Sequence, residues 1–492
     1  MKSVVTAALA CVFLSAPAVA DVPAWRGYGG NAQHAAPAPV KGQKLGTVRW
    51  TTPVDLNPGG GVLLIHYASP MITASNTVLL PVKTGFSGGF RIEAHNGRNG
   101  KLLWKEKTDF VLAPHDWTPS FPAHLTPQNR LYFARAGGTV SFRDTPDLKT
   151  GDRGQLAFYG LSNYQADKSV YNAHVMIDTP ITADEAGDIY FGFVVTGSTP
   201  LGLKSGIARI GADGAGTWIA AGNAANDASI TQVAQNCAPA ISADQSTVYI
   251  AVSNGIQGYL VGLDSSTLQP KFKTRLTDPL TGTDALILDD SSASPTVGPD
   301  GDVYYGVVEA QAHNSRGWLM HFSGDLSVKK TTGSFGWDDT VSIVPAAAVP
   351  SYSGSSAYLL MTKYNNYFGS GSGDGHNEIA ILDPNATQKD RFSNATVMKE
   401  ILTKLNPTQV PGAPQGVVYE WCINSAVVDA EGKAVIANAE DGHTYRWNLA
   451  NNSLKDVSLN QPTFEAYTPT EIGPDGTIYA INDARLYALG KK

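Results

Sequence analysis

Apolar and polar positions along the chain follow one pattern, which recurs about every 40–60 residues. Each unit begins with a small residue, often followed by Pro, and an apolar strand. A short turn rich in Asp, Gly and Asn leads into a second strand of β-branched residues and Tyr. The clearest units begin at Thr179, Ala238, Ser294 and Thr468, and weaker ones at Ser69, Thr118, Ser342 and Asn424. The chain therefore contains eight units.

Each unit continues with a third and a fourth strand, as in residues 258–264 followed by 271–275. Four short antiparallel strands per unit are typical of a β-propeller blade. The sequence predicts an all-β, eight-bladed β-propeller of four-stranded antiparallel blades. The last unit ends one strand short, at residues 486–490, whereas residues 46–52 form a strand without a unit. We predict that this N-terminal strand completes the last blade and closes the ring, because closure removes two exposed sheet edges.

The first twenty residues have the pattern of a secretory signal peptide. Lys2 precedes an apolar run, and the segment ends Ala18-Val19-Ala20. We predict cleavage near Ala20 and a periplasmic or secreted protein. The predicted organisation is a signal peptide (1–20), an N-terminal extended segment (21–44) and a single propeller (45–492). No segment is apolar over the length that an integral membrane helix needs.

Charge restricts the class of partner. The chain has 36 Lys and Arg residues against 43 Asp and Glu residues, and no run of basic residues. Nucleic-acid binding requires clustered positive charge, so we expect no nucleic-acid partner. The remaining candidates are a small molecule, a glycan or a protein, and we expect a monomer.

Two segments resemble a known family. Residues 94–104, AHNGRNGKLLW, are similar to the A-x-D-x-x-T-G-x-x-x-W blade signature of the PQQ-like (quinoprotein alcohol dehydrogenase-like) β-propeller superfamily. Residues 25–34, WRGYGGNAQH, resemble the W-x-x-x-G-G-N-x-x-H opening of its exported bacterial members. This resemblance implies a propeller, with PQQ and Ca²⁺ as candidate cofactors. The vicinal Cys pair and the C-x-x-C-H haem motif of many such dehydrogenases are absent from the sequence.

The two ends of the propeller differ in loop length. The turns between first and second strands are short, as at residues 298–301 and 473–476, and we name this end the turn face. The second-to-third-strand loops are longer, at residues 84–89, 196–206, 309–317 and 363–377. Because binding and catalytic residues concentrate in long loops on a rigid scaffold, we expect the functional site on this loop face, around the central axis.

Polar and aromatic residues precede many of the first strands and should surround the axial opening. Together with the root of the longest loop, they supply the candidate ligand-binding residues, which are Asp116, Trp117, Asp178, Trp337, Asp339, Lys363, Asn365, Glu420, Trp421 and Tyr467. If the protein is an enzyme, the candidate catalytic residues are Asp339, Glu420, Lys363 and His115. Asp374, Asn377 and Asn365 offer oxygen ligands suited to Ca²⁺.

Two cysteines remain after the signal peptide, and an oxidising compartment permits a disulfide between Cys237 and Cys422. Their predicted places, in blades four and seven, face each other obliquely across the channel. We therefore expect two free thiols rather than a bridge.

Three functions remain open. The first is a binding propeller that holds a small polar ligand, a glycan or a protein partner on its loop face. The second is a PQQ- and Ca²⁺-dependent alcohol or sugar dehydrogenase, which the resemblance implies, with Trp421 under the quinone and Glu420, Asn365 and Asp339 around the metal. The third is a propeller-type polysaccharide lyase or hydrolase.

Overall fold

A computed structural model describes residues 24–58, 68–115, 120–288, 293–310, 315–421, 423, 425–460 and 469–491. Within these ranges the chain forms eight antiparallel sheets, which are the blades of a β-propeller. The prediction of an eight-bladed propeller is confirmed. The signal peptide and its cleavage site lie outside the described residues and stay predictions. None of the helices in these ranges combines the length and the apolar character needed to span a bilayer.

The strands of each blade are given from the channel outward. Blades 1 and 2 comprise Met71–Ile72, Thr77–Lys83, Phe90–Asn96 and Leu102–Thr108, then Ala123–Leu125, Arg130–Ala134, Thr139–Asp144 and Arg153–Ala157. In blades 3 and 4 the inner strand is split in two. Blade 3 has the inner pair Val175–Ile177 and Thr182–Ala183, followed by Ile189–Val195, Gly206–Ile210 and Gly216–Ala220. Blade 4 has the inner pair Gln232–Val233 and Ala240–Ile241, followed by Thr247–Ser253, Gly258–Asp264 and Pro270–Arg275.

Blades 5 and 6 comprise Thr296–Val297, Val303–Val307 and Trp318–Phe322, then Ser342–Pro345, Tyr358–Tyr364, Glu378–Lys389 and Thr396–Leu405. Blades 7 and 8 comprise Val427–Asp429, Ala434–Asn438, His443–Asn448 and Ser453–Ser458, then Thr470–Ile472, Ile478–Asn482, Arg485–Gly490 and Thr47–Pro53. The outer edge of blade 5 pairs only through isolated bridges at Lys329 and Gly333. The described helices are α1 (Leu161–Ala166), α2 (Lys168–His174), α3 (Ala221–Ala225) and the 3₁₀ turns Ala136–Gly138 and Ala346–Ala348.

The N-terminal strand closes the ring as the sequence predicts. Thr47 lies opposite Gly490 and Pro53 opposite Arg485 in an antiparallel pair. The indole of Trp50 in this strand donates to the carbonyl of Gly97 in blade 1, at 2.9 Å. The closing strand therefore supplies the fourth strand of the last blade and ties that blade to the first.

Small residues at or just before several inner strands join neighbouring blades. The Ser294 hydroxyl accepts the backbone N–H of Ala238 from blade 4, and the Thr340 hydroxyl of blade 6 accepts the N–H of Ser294, both at 2.9 Å. The Ser342 hydroxyl donates to the carbonyl of Ala426 in blade 7, at 2.6 Å. Inner strands are too short to satisfy all their backbone groups within a blade, and these hydroxyls serve buried groups that would otherwise lack a partner. The small-residue step in the repeat follows from this requirement.

Burial falls from the second strand of a blade to the fourth. Every residue of Thr77–Lys83 is buried, whereas in Leu102–Thr108 of the same blade only Trp104 is buried and the other positions are exposed or half-buried. Second strands pack between neighbouring sheets on both faces, so most of their side chains are apolar. This gradient explains why the β-branched second strand gives the clearest sequence signal.

Residues 24–38 fill the turn-face end of the central channel, and we call them the N-terminal plug. Backbone hydrogen bonds join the plug to the inner strands of six blades, at Ile72, Leu125, Ile241, Val297, Ile343 and Val428. Four of these six residues end their strands at the first-to-second-strand turn. His34 and Arg26 add contacts to blade 3, at Thr182 and Glu185. Within the described residues, these hydrogen bonds link the plug to seven blades, and Trp25 packs against the eighth.

The local conformation of the plug explains its unusual sequence. Gly29 and Gly30 have φ angles of 61° and 77°, and an added Cβ would lie 2.5 Å from the Cα of His34 and 3.0 Å from the Trp25 ring, respectively. The buried His34 ring contacts the Pro295 carbonyl through Nδ1 at 2.8 Å. Burial lowers the pKa of His34 to about 4, so the ring is neutral at physiological pH. The segment that resembles a family motif therefore acts as packing for the channel.

Candidate functional site

The structure brings together three of the four predicted catalytic candidates. Asp339 precedes the inner strand of blade 6, Lys363 lies near the end of the second strand of the same blade, and Glu420 precedes the inner strand of blade 7. Lys363 acts electrostatically on both carboxyl groups. We call these residues and Asp338, which acts on both carboxyl groups as well, the axial cluster.

Burial dominates the chemistry of the axial cluster. Asp339 and Lys363 are each only 2% exposed, and Glu420 is partly buried. Burial raises the pKa of Asp339 to about 7. The Thr362 hydroxyl, the Lys363 ammonium and the Lys363 backbone N–H stabilise the charged carboxylate and act in the opposite direction. Burial also raises the pKa of Glu420 to about 7, against the attraction of Lys363. Two carboxyl groups that titrate near neutrality beside a buried ammonium can exchange protons at physiological pH.

The plug closes the axial cluster from the turn face. The Tyr28 hydroxyl lies 2.7 Å from the hydroxyl of Thr340, the residue after Asp339. Burial raises the Tyr28 pKa above its usual range, so this group remains a phenol. Asp338 has a φ angle of 57°, a left-handed conformation that is uncommon for a residue other than Gly. Because the plug fills the opposite end, a ligand would reach the cluster from the loop face.

Asn365 and Trp421 join blades 6 and 7. The Asn365 amide accepts the backbone N–H of Trp421 at 3.0 Å and donates to its carbonyl at 3.2 Å. The Trp421 ring is fully buried, packs edge-on against Tyr445 and donates to the Asn377 carbonyl at 3.1 Å. Two predicted ligand-binding residues thus have their polar groups or rings engaged in the contact between blades.

The three candidate calcium ligands make hydrogen bonds within the chain. Asn365 Oδ1 is bonded to Trp421, and Asn377 Oδ1 accepts the N–H of Asn366 at 2.9 Å. Asp374 Oδ1 accepts the Asn366 amide at 2.6 Å and the N–H of His376 at 2.9 Å. In the described part of the chain no three His, Cys, Asp or Glu side chains are grouped to hold a metal ion.

The other predicted site residues are dispersed. His115 donates from Nδ1 to the Ala113 carbonyl, at 2.8 Å, and Trp337 packs edge-on against Tyr367. Asp178 bonds through its backbone to Gly192 and Asn236 within the split inner strand of blade 3. Asp116, Trp117 and Tyr467 lie outside the described residues, so their predicted roles stay predictions.

Cys237 is a buried free thiol whose sulfur accepts the N–H of Ala251, at 3.4 Å. Burial raises its pKa to about 12, so the group is protonated and unreactive. Cys422 lies outside the described residues, and the state of that thiol stays a prediction.

A cleft of about 920 Å³ opens on the loop face of blade 3. One wall is the second-to-third-strand loop at residues 196–205, which the sequence analysis placed on the functional face. The other wall is α3 with residues 226–231, the connection to blade 4. This volume suits a small-molecule ligand. We call it the loop-face cleft.

Neutral polar groups dominate the loop-face cleft. Ser198, Asn223 and Thr231 expose side chains that have no hydrogen-bond partner in the part of the chain that the structure describes. Asp227 is bonded to Ser229 and to the Tyr259 hydroxyl, and these bonds, led by that of the Ser229 hydroxyl, lower the Asp227 pKa to about 2. Lys204 supplies one cation. The sequence pattern predicts the loop but not α3, because a short connection carries no periodic signal.

Comparisons with known proteins support the fold alone. No protein-family model and no curated protein sequence matches the chain. A europium-containing methanol dehydrogenase structure aligns with 93% of this chain and 89% of its own, at 8% identity and a TM-score of 0.57. The quinohemoprotein alcohol dehydrogenase of Comamonas testosteroni aligns over 97% and 82%, at 10% identity and 0.55. Saccharomyces cerevisiae Sqt1 aligns over 93% and 100%, at 10% identity and 0.51.

The residues proposed to bind PQQ and Ca²⁺ are not positioned to do so. Trp421 would have to offer a planar surface to the quinone, but it is fully buried in the core. Asn365 would have to offer an oxygen to the metal, but its amide is bonded to the Trp421 backbone. Asp339 and Glu420 already have the Lys363 ammonium as their cation. The donors that would hold these cofactors thus already have partners within the chain.

Proposed function

We propose that the protein is an exported binding propeller that holds a neutral polar ligand, of the glycan class, in the loop-face cleft. The observation that carries the proposal is the cleft itself, whose exposed hydroxyl and amide groups have few charged neighbours. Sugars present many hydroxyl groups that both donate and accept hydrogen bonds, and Ser, Thr and Asn side chains match them. A rigid blade on either side would hold these groups in place with little entropic cost on binding.

Charge in the cleft favours a neutral ligand over an ionic one. Asp227 is ionised, but Ser229 and Tyr259 already occupy its carboxylate. Lys204 has no ion pair within the described residues, so one cation and one carboxylate border the same space. A strongly charged ligand of either sign would be repelled by the group of like charge, whereas a neutral ligand would not.

The test is titration with a panel of neutral oligosaccharides by calorimetry, using maltotriose, xylotriose, cellotriose and chitotriose. We expect saturable binding of at least one. The double variant Ser198→Leu/Asn223→Leu should raise the Kd for that sugar about tenfold or more, because two hydrogen-bonding positions become apolar.

The matched control is Asn394→Leu, which alters an exposed Asn between the third and fourth strands of blade 6. This variant should bind the sugar as the wild-type protein does. Absence of binding by all four sugars would contradict the glycan proposal. Equal loss of affinity in the control and the cleft variants would remove the site from the cleft.

A second candidate function is catalysis at the axial cluster. The observation that favours it is the pair of carboxyl groups with pKa values near 7 beside Lys363. The dehydrogenase form of this candidate is tested by adding PQQ and Ca²⁺ to the mature protein and measuring quinone absorbance and dye-linked oxidation of alcohols and sugars. Because the proposed donors already have partners in the chain, we expect no stoichiometric PQQ uptake.

A further inference from the structure

The turn face carries a second cleft, of about 650 Å³, which differs in charge from the rest of the molecule. It lies where blade 8 meets blade 1, on the opposite face from the loop-face cleft. Its charged lining residues are Lys41, Lys44, Arg49, Arg98, Lys491 and Asp475. The whole chain has a net charge of −7, yet five cations and one carboxylate line this space. We call it the basic cleft.

Ring closure assembles the basic cleft from distant parts of the chain. Lys41 and Lys44 lie in the segment between the plug and the closing strand, and Arg49 lies in that strand. Arg98 belongs to the third-to-fourth-strand turn of blade 1, and Lys491 follows the last strand. Gln43 fixes this junction, since its side chain accepts the N–H of Lys491 at 2.9 Å and donates to the Asp475 carbonyl at 3.0 Å. The cations are therefore held together by the fold.

Few of these charges are neutralised within the chain. Asp475 lies 3.8 Å from Arg49 and also accepts the amide of Asn76. Lys41 has one exposed partner, Glu431, at 3.6 Å. Lys44, Arg98 and Lys491 make no side-chain ion pair within the described residues. Like charges held close together raise the free energy of the folded state, and a bound anion would relieve that repulsion.

We propose that the basic cleft binds a multivalent phosphate anion, with Arg98 and Lys44 as its principal ligands. Arg49 is the most firmly held cation, because it donates to the Thr477 hydroxyl at 2.7 Å and to the Arg98 carbonyl at 3.1 Å. Arg49 thereby orients the Arg98 turn. A guanidinium presents paired donors that match phosphate oxygens, and lysines add charge without a fixed geometry. The same chemistry serves a free phosphorylated solute and a lipid phosphate headgroup.

The test uses the mature full chain with inorganic pyrophosphate as the probe, at low ionic strength. Calorimetry should show saturable binding that weakens as sodium chloride is added. The variant Lys44→Gln/Arg98→Gln should raise the pyrophosphate Kd about tenfold, as expected for the loss of two exposed charge pairs. Pyrophosphate should raise the melting temperature of the wild-type protein, and at the same concentration it should raise that of the double variant much less.

The control is Lys105→Gln/Lys107→Gln, which removes two exposed cations from the outer strand of blade 1 and changes the net charge equally. It should bind pyrophosphate as the wild-type protein does. Failure of the wild-type protein to bind, or equal weakening in the control, would overturn the proposal.

Sedimentation with vesicles of phosphatidylcholine and phosphatidylglycerol distinguishes the two sources of phosphate. Capture that pyrophosphate reverses, and that Lys44→Gln/Arg98→Gln abolishes, assigns the cleft to a lipid headgroup. Pyrophosphate binding without vesicle capture assigns it to a free solute. Vesicle capture that survives the double variant would contradict a role of this cleft at membranes.

Discussion

Replacing Trp25 with alanine should lower the free energy of unfolding by about 3–5 kcal/mol, the range for removing a buried aromatic side chain. Trp25 is 1% exposed and packs in the core that blades 8 and 1 share with the plug. Its indole also adjoins the buried carboxyl of Glu471, whose pKa burial raises well above its usual range. The substitution would leave a cavity where the plug enters the channel. Urea unfolding followed by circular dichroism gives the measurement.

Trp218→Ala is the control for the Trp25 experiment. Trp218 is half-buried on the outer strand of blade 3, so its substitution should lower the free energy of unfolding by less. Trp25→Phe should recover part of the loss by refilling the space. If Trp25→Ala costs no more than Trp218→Ala, then the plug does not stabilise the ring. Faster proteolysis within residues 24–44 of the Trp25→Ala protein would support the local nature of the change.

The eight blades could be predicted because the residues that form the strands and turns of each blade lie in one continuous segment of the chain. The turn in the Ser294 unit ends at Gly301, which has a φ angle of 88°, and the small residue that opens the unit bonds to a neighbouring blade. Similar requirements recur in other blades, as at Gly187 and Gly476, and therefore appear as a repeat. The closing strand was predictable for a related reason, since one strand was missing at the end of the chain and one was unassigned at its beginning.

The plug, by contrast, occurs once and has no period. Residues 25–34 stood out only through a family resemblance, and nothing in their pattern indicates that they hydrogen-bond to inner strands around the channel. The basic cleft shows the same limit, because Lys44 and Lys491 are far apart in sequence and become neighbours only when the ring closes. The order of residues along the chain therefore does not show that these two lysines line one cleft.

Side-chain direction was the other property that the sequence left open. Asp339, Glu420 and Trp421 were all expected near the axial opening because each precedes an inner strand. The structure points Asp339 and Glu420 toward Lys363 but packs the Trp421 ring between blades 6 and 7. These residues lie outside the strands, so no strand alternation predicts which of their side chains face the axis. Residue type alone therefore could not separate the axial cluster from the core.

Replacing Lys363 with methionine tests the axial cluster through its dependence on pH. In the wild-type protein Asp339 and Glu420 have pKa values of about 7, compared with about 4 in an unfolded chain. The folded state therefore binds more protons than the unfolded state between these values, and the contribution of the two groups to stability falls as pH rises through this window. The Lys363 ammonium limits that fall by stabilising the charged carboxylates.

Without the ammonium, the pKa values of both carboxyl groups should rise further, and the loss of stability should extend above pH 7. We expect Lys363→Met to lower the free energy of unfolding by about 2–3 kcal/mol at pH 8, because two carboxyl groups with wild-type pKa values of about 7 would then have to stay protonated in the folded state. At pH 5 the carboxyl groups are mostly protonated, and the cost should be much smaller. Urea midpoints at the two pH values measure the difference, with Lys204→Met, an exposed lysine of the loop-face cleft, as a control that should show no such dependence. A Lys363→Met cost that is the same at pH 5 and pH 8 would mean that Lys363 contributes packing but does not neutralise the carboxylates.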